Sequence, residues 1–148
     1  MKKLISIFAL FFVFSTNVSA QKAIPIVDSK GHILNGITHI GKLSSAGSFD
    51  AEGKSMTHIN SNGNIVDLNG KVLGKAPKNN GFTYYHNGKP EKYTIGKPSH
   101  NGMCEVKDSK GKTVMFLHNN YKNQAACAVH CLHENLCMPG DKPMVHTQ

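Results

Sequence analysis

Beyond its first twenty residues, the chain alternates short apolar segments with polar turns that contain glycine. One turn signal, an aspartate followed three residues later by glycine, stands at residues 28–31, 50–53, 67–70 and 108–111, and His86-Asn-Gly88 takes its place once. A second signal, a glycine that usually follows asparagine, lies between these at Gly47, Gly63, Gly81 and Gly102. The segments between the turns alternate apolar and polar residues, which is typical of short β-strands.

These two signals predict a series of β-hairpins. Glycine and asparagine tolerate the positive φ angles that tight hairpin turns need, and an aspartate side chain bonds the backbone amide two residues on. A single hairpin cannot bury its apolar face, so neighbouring hairpins have to share one core. The sequence therefore predicts a mainly β fold, with about five short hairpin repeats in a closed or radial assembly and one C-terminal α-helix.

The repeat resembles that of the five-fold β-flower family, small exported proteins of Bacteroidetes. The resemblance rests on the recurring Asp-x-x-Gly-Lys units and on the Ile-Gly-Lys segments between them, and it covers residues 23 to about 117. The fourth unit departs from it, because His86-Asn-Gly88 is followed by Pro90, and the first unit lacks its preceding glycine turn. The resemblance implies a β fold and export, and it implies no activity.

The pattern changes to helical spacing after Phe116. Asn119 or Asn120 is suited to cap a helix, and Pro139-Gly140 is suited to end it. One face of this helix is apolar, with Tyr121, Ala125, Ala128, Val129, Leu132 and Leu136. We expect a helix over about 119–137 that packs this face on the β assembly, and a loose tail over 138–148.

A second face of the predicted helix carries Cys127, His130, Cys131 and Glu134. One interpretation is structural, with disulfide candidates at Cys104, Cys127, Cys131 and Cys137. Two helical cysteines four residues apart rarely converge to disulfide geometry. Cys127 or Cys131 would therefore pair with Cys104 or Cys137 and fasten the helix to the sheet.

The same face is also a candidate metal site. Thiolates and an imidazole at Cys127, His130 and Cys131 suit zinc or copper, and Cys104 or His118 could complete the set. A third interpretation is a buried face of small residues without chemistry. The sequence leaves these three alternatives open, and it predicts no cofactor other than such a metal.

The N-terminal twenty residues predict a cleaved signal peptide. Lys2 and Lys3 precede an apolar run over residues 4–14, and Val18-Ser19-Ala20 suits signal peptidase. Eleven helical residues rise only about 16 Å, which is short of the roughly 30 Å hydrocarbon core. We therefore expect no transmembrane segment, a single domain over 21–137, and a periplasmic or secreted protein.

Composition narrows the function classes. All 17 basic residues are lysine, and the net charge falls from +8 to +6 when Lys2 and Lys3 leave with the signal. Because arginine is the usual reader of bases and phosphates, its absence argues against specific nucleic-acid binding. The scattered lysines favour a role in solubility, and an anionic glycan or envelope surface is the alternative partner. The sequence has no recognisable catalytic motif. It predicts a non-catalytic exported module that binds or scaffolds at the cell envelope, with a zinc- or copper-binding protein as the alternative.

Overall fold

The computed structural model describes residues 23–134, and within them lie eleven strands followed by a short 3-10 helix and one α-helix. The strands are β1 (Ile26–Val27), β2 (His32–Asn35), β3 (Thr38–Ser44), β4 (Gly47–Asp50), β5 (Ser55–Ile59), β6 (Asn64–Asp67), β7 (Val72–Lys75), β8 (Gly81–His86), β9 (Lys89–Ile95), β10 (Met103–Asp108) and β11 (Thr113–His118). The 3-10 helix covers Asn119–Gln124, and helix α1 covers Ala125–Glu134. The predicted mainly β fold with a C-terminal helix is confirmed.

The eleven strands form one closed barrel in which each strand pairs with its neighbours in sequence. Consecutive strands are antiparallel, so strand direction alternates along the chain. Because the number of strands is odd, the first and last strands run in the same direction. The closing pair is accordingly parallel, with Ile26 opposite Phe116 and Val27 opposite Leu117. Of the two predicted alternatives, closed and radial, the described residues therefore form the closed assembly.

The aspartates of the repeat fix its hairpin turns. Asp28, Asp50, Asp67 and Asp108 each accept hydrogen bonds through Oδ1 from the amides two and four residues on, over 2.8–3.0 Å. Burial alone would raise the pKa of Asp28, but the bonds from the His32 and Lys30 amides outweigh it and lower that pKa. The predicted contact with the amide two residues on is confirmed.

The first repeat contains one strand more than a hairpin. After β2 the chain turns through Gly36 and Ile37, where Gly36 has a φ of 63°, and β3 runs back with Asn35 opposite Thr38. Five hairpins, β1–β2, β4–β5, β6–β7, β8–β9 and β10–β11, and this additional strand make up the eleven. The prediction of about five hairpins alone missed β3, because Asn35-Gly36 was not read as a turn.

Helix α1 lies inside the barrel. Residues 125–131 are all buried, which covers every face of nearly two helical turns, and the helix contacts β3, β4, β7 and β8. Eight strands suffice for side chains to fill a barrel, whereas eleven leave room for a central helix about 10 Å across. Small side chains at Ala125, Ala126 and Ala128 let the barrel wall approach the helix closely.

The predicted helix is therefore corrected in three respects. It packs on the β assembly with all of its faces and not with one apolar face. Its first part is the 3-10 helix, whose cap is His118 and not Asn119 or Asn120, because His118 Nδ1 accepts a hydrogen bond from the Asn120 amide at 3.2 Å. The end predicted at 137, the tail over 138–148 and the signal peptide over 1–20 lie outside the described residues.

Candidate functional site

A cluster of polar side chains lies where the β8–β9 hairpin contacts the last described turn of α1. The hairpin turns through Asn87 and Gly88, whose φ angles of 50° and 78° are those of a tight two-residue turn. This turn sets the register, so that His86 pairs with Lys89 and Tyr84 lies opposite Glu91. Side chains two residues apart on one strand lie on the same face of a sheet, and so do those of directly paired residues on neighbouring strands. Tyr84, His86 and Glu91 therefore project from the same side of the hairpin.

Helix α1 brings two histidines to this face. The Tyr84 hydroxyl and His130 Nδ1 are 2.9 Å apart inside the barrel, which ties the helix to β8. One residue short of the helix end, the His133 ring stacks on Tyr84 at 5.4 Å between centroids and lies 4.7 Å from the His86 ring. Its Nε2 lies 3.1 Å from the Tyr93 hydroxyl. The site therefore combines both strands of the hairpin with the helix.

Glu91 is the charged centre of this group. Its Oε1 lies 3.4 Å from His86 Nδ1, and its Oε2 lies 3.4 Å from His133 Nε2. The Tyr93 hydroxyl donates a 2.6 Å hydrogen bond to Oε2. Burial, and then this bond to Glu91, raise the pKa of Tyr93 well above its ordinary value, so that the phenol keeps its proton and remains a donor.

An open cleft adjoins the same residues. One part, of about 400 Å³, has apolar walls from Ile24, Val114, Val129 and Leu132, together with Lys112 and Asn35 at its polar side. A second part, of about 550 Å³, is lined by Glu91, Lys92, Asp108 and Lys110 among others. The two parts share Tyr93, Val114 and His133, and we refer to them together as the α1-end cleft. Volumes of this size are typical of small-molecule sites.

The structure does not bring the predicted helical metal ligands together. Cys127, His130 and Cys131 are all buried, but the Cys127 side chain contacts Thr57 on β5, whereas His130 bonds Tyr84 on β8. Among residues 23–134, the His/Cys/Asp/Glu groups of three or more with converging ligand atoms comprise His86, Glu91 and His133 alone. The side chain of Glu134 lies outside what is described.

The two proposed completing ligands also lie elsewhere. The Cys104 thiol faces Asn119 Oδ1 at 3.9 Å, and His118 caps the 3-10 helix above the Gly102 turn. Within residues 23–134, the ligand atoms of Cys104 and His118 do not converge with those of Cys127 and His130 into a group of three or more. The Cys/His set is thus dispersed because neighbouring side chains on one face of the enclosed helix reach different strands, β5 for Cys127 and β8 for His130.

The predicted disulfide staple is not found between described residues. Cys104 on β10 and Cys127, which contacts β5, are free thiols. The prediction that either of them forms a disulfide is therefore wrong. Cys131 is disulfide-bonded, and the predicted pairing with Cys137 lies outside the described residues. Burial raises the pKa of Cys127 to about 11, although its hydrogen bond with Thr57 acts in the opposite direction. Burial also raises the pKa of Cys104.

Sequence reasoning missed His86, Glu91, Tyr93 and His133. His86 belongs to a turn signal of the repeat, and His133 belongs to neither of the two faces of the predicted helix. A strict two-residue turn at Asn87-Gly88 was a usable signal, because it places His86 and Glu91 on one face of the hairpin. The position of His133 depends on the enclosure of α1, for which the sequence offered no signal.

The fold and the site define the class of protein as a closed β-barrel filled by a helix, with a histidine-, tyrosine- and glutamate-rich cleft at the helix end. In comparisons with known proteins, no family model, curated protein or solved structure matches the chain. Membership of the five-fold β-flower family therefore stays a prediction. Over residues 23–134, the helices are too short or too polar for a membrane crossing.

Proposed function

We propose that this protein is an exported, non-catalytic β-barrel module that binds a small ligand at the cell envelope through the α1-end cleft. Export rests on the signal-peptide pattern of residues 1–20. The observation that carries the binding function is the cleft itself, since the barrel interior is filled by α1 and the cleft is where open volume, apolar walls and polar groups meet. Sites of this composition are the usual form of small-molecule sites.

The cleft favours a ligand with an apolar body and an anionic group. In its first part, Val114, Val129 and Leu132 form an apolar wall, and Lys112 is the charged residue of the lining. An ammonium group beside an apolar surface complements a carboxylate with a hydrocarbon body. An amphipathic anion of modest size is therefore the class of ligand that we propose for this cleft.

The free cysteines support a non-catalytic role. A thiol acts as a nucleophile through its thiolate, and a raised pKa together with complete burial keeps Cys104 and Cys127 protonated and inaccessible. The alternative of a metal site on the helical Cys/His face has weaker support, because its ligand atoms do not converge.

A titration with a simple amphipathic anion tests this proposal. Decanoate is added to the mature protein and followed by two-dimensional amide NMR, with octyl glucoside as the uncharged comparison. We expect saturable shifts at Val114 and Leu132 with decanoate, weaker binding of octyl glucoside, and a several-fold loss of decanoate affinity in Lys112→Gln. Lys54→Gln, in the exposed β4–β5 turn, is the matched control and should leave the affinity unchanged. Shifts that do not saturate, or equal losses in both variants, would contradict the proposal.

A further inference from the structure

We propose that His86, Glu91 and His133 form a binding site for one divalent transition-metal ion, for which zinc is the best match. The site goes beyond the ligand-binding function proposed above and does not depend on it. It joins the end of β8, the start of β9 and the end of α1, so that a bound ion would link the helix to the barrel wall. It is distinct from the cysteine-containing set that the sequence predicted.

The separations of the ligand atoms fit a tetrahedral ion. Each residue offers one ligand atom, and all three atoms lie within 4.8 Å of one another. Two ligands bound at about 2.1 Å to a tetrahedral zinc ion are about 3.4 Å apart. Glu91 faces the two imidazoles with different oxygens, since its Oε1 lies 3.4 Å from His86 Nδ1 and its Oε2 lies 3.4 Å from His133 Nε2. An ion between the imidazoles is therefore bound either by both oxygens of Glu91 or by one of them after a small rotation of the carboxylate.

The surroundings hold the three side chains in place. The Tyr93 hydroxyl donates to Glu91 Oε2, which orients the carboxylate as an outer-shell partner does in known metal sites. The Tyr84 ring stacks on both imidazoles, at 5.4 Å from His133 and 6.3 Å from His86. Because Tyr84 is fully buried and sits on the barrel wall, it fixes the planes of both rings. Such preorganisation reduces the conformational entropy lost on binding.

The donor set selects the class of metal. Two imidazoles and one carboxylate, without a thiolate, suit zinc and other divalent first-row ions and do not suit copper(I), which prefers sulfur. The side chains of His86, Glu91 and His133 are each about one-third exposed, at 33%, 36% and 34%, so an ion can enter and water can occupy a fourth position. Three protein ligands and an open position describe an accessible site, in contrast to a closed structural one.

Isothermal titration of the metal-free mature protein with Zn²⁺ tests the proposal. We expect one ion per chain in the wild type and a loss of affinity of roughly 100-fold or more in His133→Ala and in Glu91→Gln, since removal of a direct ligand should exceed the 10- to 100-fold effect of an outer-shell change. Glu91→Gln keeps the size of the side chain and an acceptor for Tyr93. His58→Gln replaces an exposed strand histidine away from the site and should bind as the wild type does.

Co²⁺ spectroscopy distinguishes this site from the cysteines. Bound at the proposed site, Co²⁺ gives visible bands without a sulfur-to-cobalt charge-transfer band, because no thiolate coordinates it. Circular dichroism and thermal melting check that each variant is folded, and His86→Ala replaces His133→Ala if the latter is not. No Zn²⁺ binding by the folded wild type, undiminished binding by folded Glu91→Gln, or a sulfur charge-transfer band would each overturn the proposal. None of these outcomes bears on decanoate binding in the cleft.

Discussion

The close approach of β7 to β8 on one side and to α1 on the other makes Gly74 a test of the packing between the barrel wall and the helix. A Cβ atom at Gly74 would lie 2.7 Å from the Thr83 carbonyl oxygen and 3.1 Å from Ala126 Cβ. The nearer contact is with backbone, which cannot rotate away, so the strand or the helix has to shift. Overpacking lowers the free energy of unfolding by about 1–3 kcal/mol. Alanine also restricts the unfolded chain more than glycine does, and this effect offsets about 0.4–1 kcal/mol of the loss. We therefore expect Gly74→Ala to lower the free energy of unfolding by about 1–2 kcal/mol.

Gly96→Ala is the matched control, because Gly96 occupies the same place in the Ile-Gly-Lys segment of another repeat. There a Cβ atom would meet Glu105 atoms at 3.5 Å and beyond, which is ordinary contact. Its stability should be unchanged or higher by up to about 1 kcal/mol. Urea unfolding followed by circular dichroism measures both, and with a slope of about 2 kcal/mol per M the midpoint of Gly74→Ala should fall by about 0.5–1 M. Equal midpoints for the two variants would refute the packing of α1 against β7.

Three further predictions concern polar groups. Thr57→Val removes the buried 2.7 Å bond between Thr57 Oγ1 and Ser48 Oγ and should cost about 1–3 kcal/mol in urea unfolding, whereas Thr94→Val, at an exposed strand position, should cost little. The lowered pKa of Asp28 means that its carboxylate stabilises the fold above its ordinary pKa of 3.8, and that this contribution is lost as pH falls through the lower folded value. Asp28→Asn should thus melt with a smaller decrease in Tm between about pH 5 and about pH 2.5, and an unchanged decrease would speak against the turn contacts. In the absence of reductant, a thiol reagent should modify Cys104 and Cys127 only after denaturation, because both thiols are free and buried. Peptide mapping identifies the modified cysteines, and rapid labelling of the native protein would contradict their burial.

The repeat could be predicted from the sequence because its turns are local. Asp67 and Gly70 need only each other and the intervening amides to form a turn, so the pattern of residues 67–70 was sufficient. The closing of the barrel is different, since the pairing of Ile26 with Phe116 depends on the number of strands between them. That number could not be obtained once β3 had been missed.

The candidate site could be predicted least, because it is assembled from three distant parts of the chain. His86 and Glu91 are joined by a hairpin register, but His133 reaches them only because α1 lies inside the barrel. On an amphipathic surface helix, Cys127 and Cys131 would have been the natural partners of His130. Enclosure changes this, because strands surround α1, and side chains on one of its faces, such as Cys127 and His130, bond to different strands.

The parallel seam between β1 and β11 also has a consequence for the order of assembly. The last strand is followed directly by the 3-10 helix and then by α1. Closure of the barrel and packing of the helix in its interior therefore involve the same stretch of about twenty residues, 113–134. A chain that emerges N-terminus first from a ribosome or a translocation pore has ten strands available before either event can occur. Closure of the barrel therefore depends on the last part of the described chain to be synthesised.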